Sequence, residues 1–489
     1  MKFEISNVGS SGGFPAVSPE SAGIPSEAVI RFLDSVKDCG LNLHGMVIIR
    51  GGAVAAEGYW KPYAKDMKHK MASCTKSFTS IAVGFMADEG LLKLSDRVVD
   101  YFPELVPPEG VHPYIAATTV RDLLMMSSAH ESTTYSRMKS VDWLSSIFLC
   151  PPTRLPGTIF AYDTSGTQAL CTLVSRLTGK PLLEYLRPRL LNPIGFSKDA
   201  YCKTDEVTGI PWGGFGLSCT PLDLAKVAFV CMREGVYDGR QLIPQWYIKE
   251  ATSRQISNFL ERGSPEMQQG YGYQFWRTRN NGFAMLGLGG QAAICLPYKD
   301  FVLAVTADDS WQNSHYANLF MALWDYLYPS LSDKPLPQNE SKALSERLAS
   351  LEIPVLAGAR TSPAAEKNSS ARYVMDENEM GYKAFTFTFG ENSGSMLFEK
   401  ADGAFVIEFG FGGNKAQEFP QTECACIASA EWVGGDTLNI RGYAIGENLN
   451  FSLRISACFK EDTLTVMMKK PSEALPFGYN GAMSGRRVV

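Results

Sequence analysis

The hydrophobic pattern changes period near residue 370, and no single layered core satisfies both patterns. From about Tyr373 onward the chain consists of short alternating segments, F-T-F-T-F, F-V-I-E-F, T-L-N-I-R, F-S-L-R-I and T-L-T-V-M, separated by Gly, Asn and Asp turns. A period of two turns one face of a strand to a core and the other to water, so this region is predicted to be an all-β domain of barrel or sandwich type. Residues 332–342, S-D-K-P-L-P-Q-N-E-S-K, are polar and proline-bearing and read as a linker, with a short helix from Ala343 to Leu351 after it. The expected division is a first domain over 1–331, a linker with a short helix over 332–370, and the β domain over 371–489.

Upstream of that change, strand and helix signals mix. Pro25-Ser26 opens a helix that Gly40 stops, with Val29, Ile30, Phe32, Leu33 and Val36 on its apolar side. G-M-V-I-I-R, Gly51-Gly52 and A-V-A-A-E-G-Y-W then read as two strands around a tight turn. From about Leu91 to Glu250 the text is mostly helical, with loops at Pro107-Pro108, Pro151-Pro152 and Gly213-Gly214. Extended structure returns at Tyr271–Trp276, and Asn281-Gly282 marks a hairpin. A strand is expected from Phe283 to Gln291, then a turn at Pro297–Asp300, the strand F-V-L-A-V-T-A, and a helix from Tyr316 to Tyr328. Strands near the start therefore meet three later ones across a helical insert. This is an α+β layout, an antiparallel sheet flanked by helices.

Within this layout, Ser73-Cys74-Thr75-Lys76 carries the chemistry. In S-F-T-S-I-A-V-G-F-M behind it, Phe78, Ile81, Ala82, Phe85 and Met86 recur at helical spacing. Ser73 and Lys76 then share one face of the first turn. Unpaired N–H groups there favour negative charge near Ser73, and a partly buried Lys76 loses proton affinity and can take the Ser73 proton. Cys74 points about 100° away and reads as a core residue.

Other chemistries lack their signatures. With 45% hydrophobic and 20% charged residues the chain can bury a large core, and disorder is not expected. A net charge of -5 without Lys/Arg runs gives no nucleic-acid or membrane surface. Neither a signal peptide nor an apolar run of spanning length is seen, so a cytoplasmic protein is expected. The eleven cysteines, an odd number without paired ligand spacing, read as reduced, mostly buried thiols. Five scattered histidines form no zinc pattern, so no metal or cofactor is expected. Gly9-Ser10-Ser11-Gly12-Gly13 fits G-x-S-x-G by count but precedes any strand, and Gly410–Gly413 lacks the context of a nucleotide loop.

Read together, Ser73-x-x-Lys76, G-L-L-K-L-S-D-R-V-V-D-Y-F-P-E (Gly90 to Glu104), T-V-R-D-L-L-M-M-S-S (Thr119 to Ser128) and P-G-T-I-F-A-Y-D-T-S-G (Pro156 to Gly166) resemble the serine hydrolases related to class C β-lactamases and penicillin-binding proteins. The resemblance covers roughly residues 17–330 and implies a β-lactamase/transpeptidase-like fold. With the wording S-C-T-K-S-F-T-S and an appended β domain, the chain is similar to the esterase and nylon-oligomer-hydrolase branches. The resemblance implies that Ser73 is the nucleophile, with Lys76 and Tyr162 as a coupled acid/base pair. It implies an oxyanion hole of the Ser73 and Gln291 backbone N–H groups, with the third family element at Leu288-Gly289-Gly290-Gln291. For Tyr162 to serve as a base, adjacent Lys76 must lower its pKa. Lactamase-type members carry Asn where this chain has Thr164, and Lys or His where it has Leu288. The second difference removes the cation that meets a β-lactam carboxylate. Leu288, Gly289, Gly290, Thr164, Trp212 and Phe215 are expected around the substrate, with Trp60, Tyr135 and Trp276 as further aromatics, most of them core.

The implied function is hydrolysis of a small ester or amide through an acyl-Ser73 intermediate. The alternatives are a catalytically idle peptide- or peptidoglycan-binding member of the same fold, and a small-molecule carrier that uses an apolar cavity in the β domain.

Overall fold

The first and last thirds of residues 13–337 meet in one six-stranded antiparallel sheet. Its order is Ala53–Tyr59, Leu43–Arg50, Phe301–Ala307, Gln291–Leu296, Phe283–Gly287 and Trp276–Arg277. Every residue of Leu43–Arg50 and Phe301–Ala307 is buried, which is why these strands read as continuous apolar runs. The computed structural model describes residues 13–139, 142–261, 263–309, 315–337, 341–422, 424–447, 451–470 and 479–488. The Gly9–Gly12 part of the G-x-S-x-G match lies outside them.

One strand was expected from Phe283 to Gln291; the structure has two. Gly289 and Gly290 adopt φ of +85° and +92°, turning the chain back so that Gln291 pairs with Gly287. Adjacent residues in this region are open to glycine and hard for other residue types, so the pair makes a tight corner.

The Thr75–Asp88 helix is preceded by a 3₁₀ turn, Ala72–Cys74, that contains Ser73. Sequence spacing suggested a one-sided apolar stripe, but every residue from Thr75 to Met86 is buried. The insert wraps the helix, with Thr164–Thr178 packed along it. Its hydroxyls are hydrogen-bonded rather than hydrated: Ser77 Oγ donates to Gln274 O at 2.7 Å, Thr79 Oγ1 to Gly213 O at 2.8 Å and Ser80 Oγ to Tyr273 O at 2.7 Å. Paired in this way, the polar residues can be buried without the full desolvation cost. Two buried imidazoles follow the same rule, His44 Nδ1 and His69 Nε2 lying 2.8 Å apart with Tyr63 stacked on His44.

The chain divides into compact units between Leu351 and Glu352. The expected short helix, seen at Lys342–Ala349, packs on Ser26–Asp38 and on strand Ala53–Tyr59, so it belongs to the first unit. A β-carbon on Gly58 would come 2.7 Å from Leu351 Cδ1, and glycine is what lets this segment approach.

In the second unit nine strands close into a barrel. Their order is Gly403–Phe411, Ser393–Lys400, Ala384–Phe389, Arg372–Met375, Gly481–Arg487, Thr463–Lys469, Phe451–Lys460, Thr437–Ile445 and Ala425–Val433. The ring closes where Gly410 and Phe411 pair in parallel with Ser429 and Ala430, and a tenth strand, Lys415–Glu418, lies on Ala425–Val433. Strand Thr463–Lys469 alternates exposed and buried residues throughout, as its period of two requires. The interior is packed with its own aromatic rings: Phe387 to Phe459 at 5.3 Å, Trp432 to Phe459 at 5.8 Å, Tyr382 to Phe398 at 5.4 Å between centroids. A packed interior of this kind does not favour the carrier alternative.

All eleven cysteines are free thiols, seven of them buried. Among the described residues no helix is long and apolar enough to cross a membrane, and no group of three or more His, Cys, Asp or Glu could hold a metal ion.

Candidate active site

Three elements converge on Ser73: its own turn, the Tyr162 loop that leads into Thr164–Thr178, and the corner of the Phe283–Leu296 hairpin. Ala72 has φ of +45°, a costly conformation for a residue with a β-carbon, and it sits immediately before Ser73. Gly287 lies against this turn; a β-carbon there would come 2.4 Å from Met71 O and 3.0 Å from Ser73 N.

Lys76 Nζ donates to Ser73 Oγ at 3.0 Å and to Gly214 O at 2.8 Å. The side chain is sealed from water, Lys76 being 1% exposed. Burial lowers its pKa to about 7, against the opposing pull of Asp163. On the other side the Ser73 hydroxyl lies near enough to the Tyr162 phenol to favour its ionised form, and Lys76 Nζ lies 5.0 Å from the Tyr162 ring centroid. The proximity expected of these three residues is therefore present.

The electrostatic condition for Tyr162 to act as a base is not met. The Tyr162 phenol is held above its ordinary pKa, because the loss of hydration outweighs the influence of the Ser73 hydroxyl. Lys76 cannot act as a strong fixed charge on it, since Lys76 itself is easily deprotonated. Asp163, which directly follows Tyr162 in the chain and which sequence reasoning passed over, is buried. Burial raises its pKa to about 6, against the N–H groups of Ser165 and Gly166, the Ser128 hydroxyl and Lys76. Its own neighbourhood in the Y-D-T phrase was the available signal.

The expected pocket residues separate into groups. Trp212 and Phe215 stack at 5.4 Å, and Trp143, stacked on Tyr135, joins them at 4.9 Å from Trp212. Gly214 connects this aromatic wall to Lys76, and Thr164 Cγ2 occupies the space a β-carbon on Gly214 would need. The Thr164 N–H donates to Thr133 Oγ1 at 3.1 Å. Leu288 stands out at the corner, 71% exposed, while Gly289 and Gly290 are buried behind it. Gln291 turns its side chain inward, donating from Nε2 to Ala307 O at 2.7 Å and accepting the Ala307 N–H at 3.1 Å. Trp60 is buried in the core. Trp276 stacks on Tyr162 at 5.6 Å. A cleft of about 480 Å³ opens beside Tyr162, lined also by Ile159, Phe160, Phe259, Leu260 and the carboxylates Glu131 and Glu261. The sequence reading named none of those lining residues but Tyr162. Phe259 and Leu260 are 72% and 78% exposed, which makes its rim apolar.

A buried amine and a half-buried phenol beside one serine hydroxyl can move protons at a carbonyl without histidine. The chain is 27% identical over 302 residues to the 6-aminohexanoate-dimer hydrolase of Paenarthrobacter ureafaciens, covering 56% of this chain and 76% of that protein. Among solved structures, a Bacillus anthracis protein provisionally named a 6-aminohexanoate-dimer hydrolase superposes with a TM-score of 0.53 at 21% identity, covering 69% of this chain and 91% of that one. A Bacteroides dorei protein provisionally named a beta-lactamase gives a TM-score of 0.51 at 16% identity, over 62% and 99% of the two chains. These two likenesses concern the fold. The beta-lactamase family model matches residues 39–324, more than half of the chain, and with Ser73, Lys76 and Tyr162 inside that span the chain belongs to the beta-lactamase family of hydrolases.

Proposed function

We propose that the protein hydrolyses a small ester or amide through an acyl-Ser73 intermediate, with Lys76 as general base and Tyr162 as the proton-donating partner. The observation that carries this reading is the 3.0 Å contact from Lys76 Nζ to Ser73 Oγ, made by an amine whose pKa burial lowers to about 7. Near neutral pH a substantial fraction of Lys76 is uncharged and can accept the Ser73 proton as Oγ attacks the carbonyl. Tyr162, whose phenol stays protonated, is suited to hand a proton to the leaving group and take one from the incoming water. The oxyanion is assigned to the Ser73 N–H and a second main-chain N–H from the Leu288–Gln291 corner, Gln291 being the donor implied by the family resemblance. That the 6-aminohexanoate-dimer hydrolase relative is named for an amide substrate supports a small linear ester or amide. The apolar rim at Phe259 and Leu260 supports an apolar acyl or leaving group. With Leu288 in place of a cation, a β-lactam carboxylate lacks its partner there.

The test is hydrolysis of p-nitrophenyl butyrate by the full chain. Ser73→Ala abolishes turnover, and intact mass after a fluorophosphonate places one adduct on Ser73. Undiminished turnover in Ser73→Ala removes the assignment.

A further inference from the structure

The corner that supplies the second oxyanion donor is held from outside the hairpin. Tyr316, near the start of helix His315–Ala322, reaches Gly287 O with its hydroxyl at 2.6 Å and Gln291 O at 3.3 Å. These two residues face each other where the hairpin strands enter the corner. The rest of the corner is tied to the sheet: Asp309 N–H donates to Gly289 O at 2.9 Å, and the Gln291 side chain bonds both main-chain groups of Ala307. Gly287 O also accepts the Gly290 N–H at 3.2 Å, so Tyr316 supplies the bond to this carbonyl that comes from another element. A peptide unit is planar with its carbonyl and N–H opposed, so fixing Gly287 O also fixes the direction of the Leu288 N–H, and the contact of the same hydroxyl with Gln291 O holds the residue whose own N–H is the assigned donor. Gly287 is the residue pressed on the Ser73 turn, and rotation of its peptide is therefore felt at the nucleophile.

Resting on the acyl-serine reading above, we infer that Tyr316 is a positioning residue: its hydroxyl sets the orientation of the Gly287–Gln291 corner, and with it the main-chain N–H that meets the oxyanion. Sequence reasoning had no signal for this, because Tyr316 lies in a helix read only as closing the fold. A merely structural tyrosine would change stability and leave the balance between ground state and transition state alone. A positioning tyrosine acts on the transition state, since the oxyanion develops only there.

The experiment compares Tyr316→Phe, which loses one oxygen, with the unchanged full chain on p-nitrophenyl butyrate and in inhibition by phenylboronic acid, which forms a tetrahedral serine adduct. The expected result is a kcat lower by roughly 10- to 100-fold, a KM within about two-fold of the starting value, and a phenylboronic acid Ki raised in step with the loss in kcat. Tyr316→His keeps a ring N–H donor and recovers part of the loss. It also carries the test if Tyr316→Phe loses its circular-dichroism spectrum. Unchanged kcat and Ki, or a loss confined to KM, overturns the inference while Ser73→Ala remains inactive. An active Ser73→Ala overturns the acyl-serine reading itself.

Discussion

Replacing Gly287 with alanine tests whether the hairpin corner and the nucleophile turn form one mechanical unit. The added β-carbon would start 2.4 Å from Met71 O and 3.0 Å from Ser73 N, against an ordinary closest contact of about 3.4 Å. Backbone atoms lie on both sides of the clash, so no side chain can swing aside to relieve it. One of the two segments has to shift by about 1 Å. A displacement of that size at a reacting centre costs about 100-fold in rate, or about 2.7 kcal/mol of transition-state stabilisation. The packing strain itself costs about 1–3 kcal/mol of stability. Gly413→Ala is the matched control, since its β-carbon would meet nothing within 4 Å. Steady-state hydrolysis of p-nitrophenyl butyrate, with thermal melting of each variant, gives both numbers. The expected outcome is a kcat/KM near one hundredth of the starting value for Gly287→Ala in a folded protein, and no change for Gly413→Ala. A Gly287→Ala protein with full kcat/KM would refute the idea that this corner bears on Ser73.

The rate should also follow the protonation of Lys76. With a pKa of about 7, log kcat/KM rises with pH along an acid limb centred near 7, because the neutral amine is the base. Asp163→Asn removes the carboxylate that raises the Lys76 pKa and moves the limb to lower pH; a limb that stays in place refutes the coupling. The His44–His69 pair gives the fold an acid limit. Burial lowers both imidazoles, His69 to about 4, so the unfolded chain binds more protons below pH 6.5. Stability is then full above about pH 6.5 and is lost as pH falls toward 4, a change on the order of 3 kcal/mol for His69. Urea unfolding across that range, with imidazole NMR shifts, reads it, and a protonated His69 at pH 6 in the folded protein would contradict it.

The strands, the hairpin at Asn281-Gly282 and the all-β character of the second unit were open to a reader of the sequence because they rest on local period and turn chemistry; the count of nine strands and the closure of the ring were not. Ser73, Lys76 and Tyr162 were legible for a similar reason, each being carried by a short phrase. What escaped depends on distance along the chain. Lys76 meets Gly214 across 138 residues, and Tyr316 meets Gly287 across 29. The all-round burial of Thr75–Met86 follows from the wrapped insert, which no periodicity within the helix encodes. The direction of the Tyr162 pKa was not legible, because the sequence does not show how little water the phenol keeps. The sequence carries a strand through to Gln291 although Gly289-Gly290 is compatible with a corner, because two adjacent glycines leave the path of the chain to their surroundings.

The barrel's closure has its own consequence. Along most seams of the ring, neighbouring strands share between three and nine residue pairs, whereas Gly403–Phe411 and Ala425–Val433 meet through two. A zipper fails at its shortest row of teeth. Opening of this domain is expected to begin there, turning an edgeless wall into a ribbon with two sticky margins, and the small tenth strand beside the seam, whose Gln417 side chain bonds Glu408 across it, is placed to shield one of them.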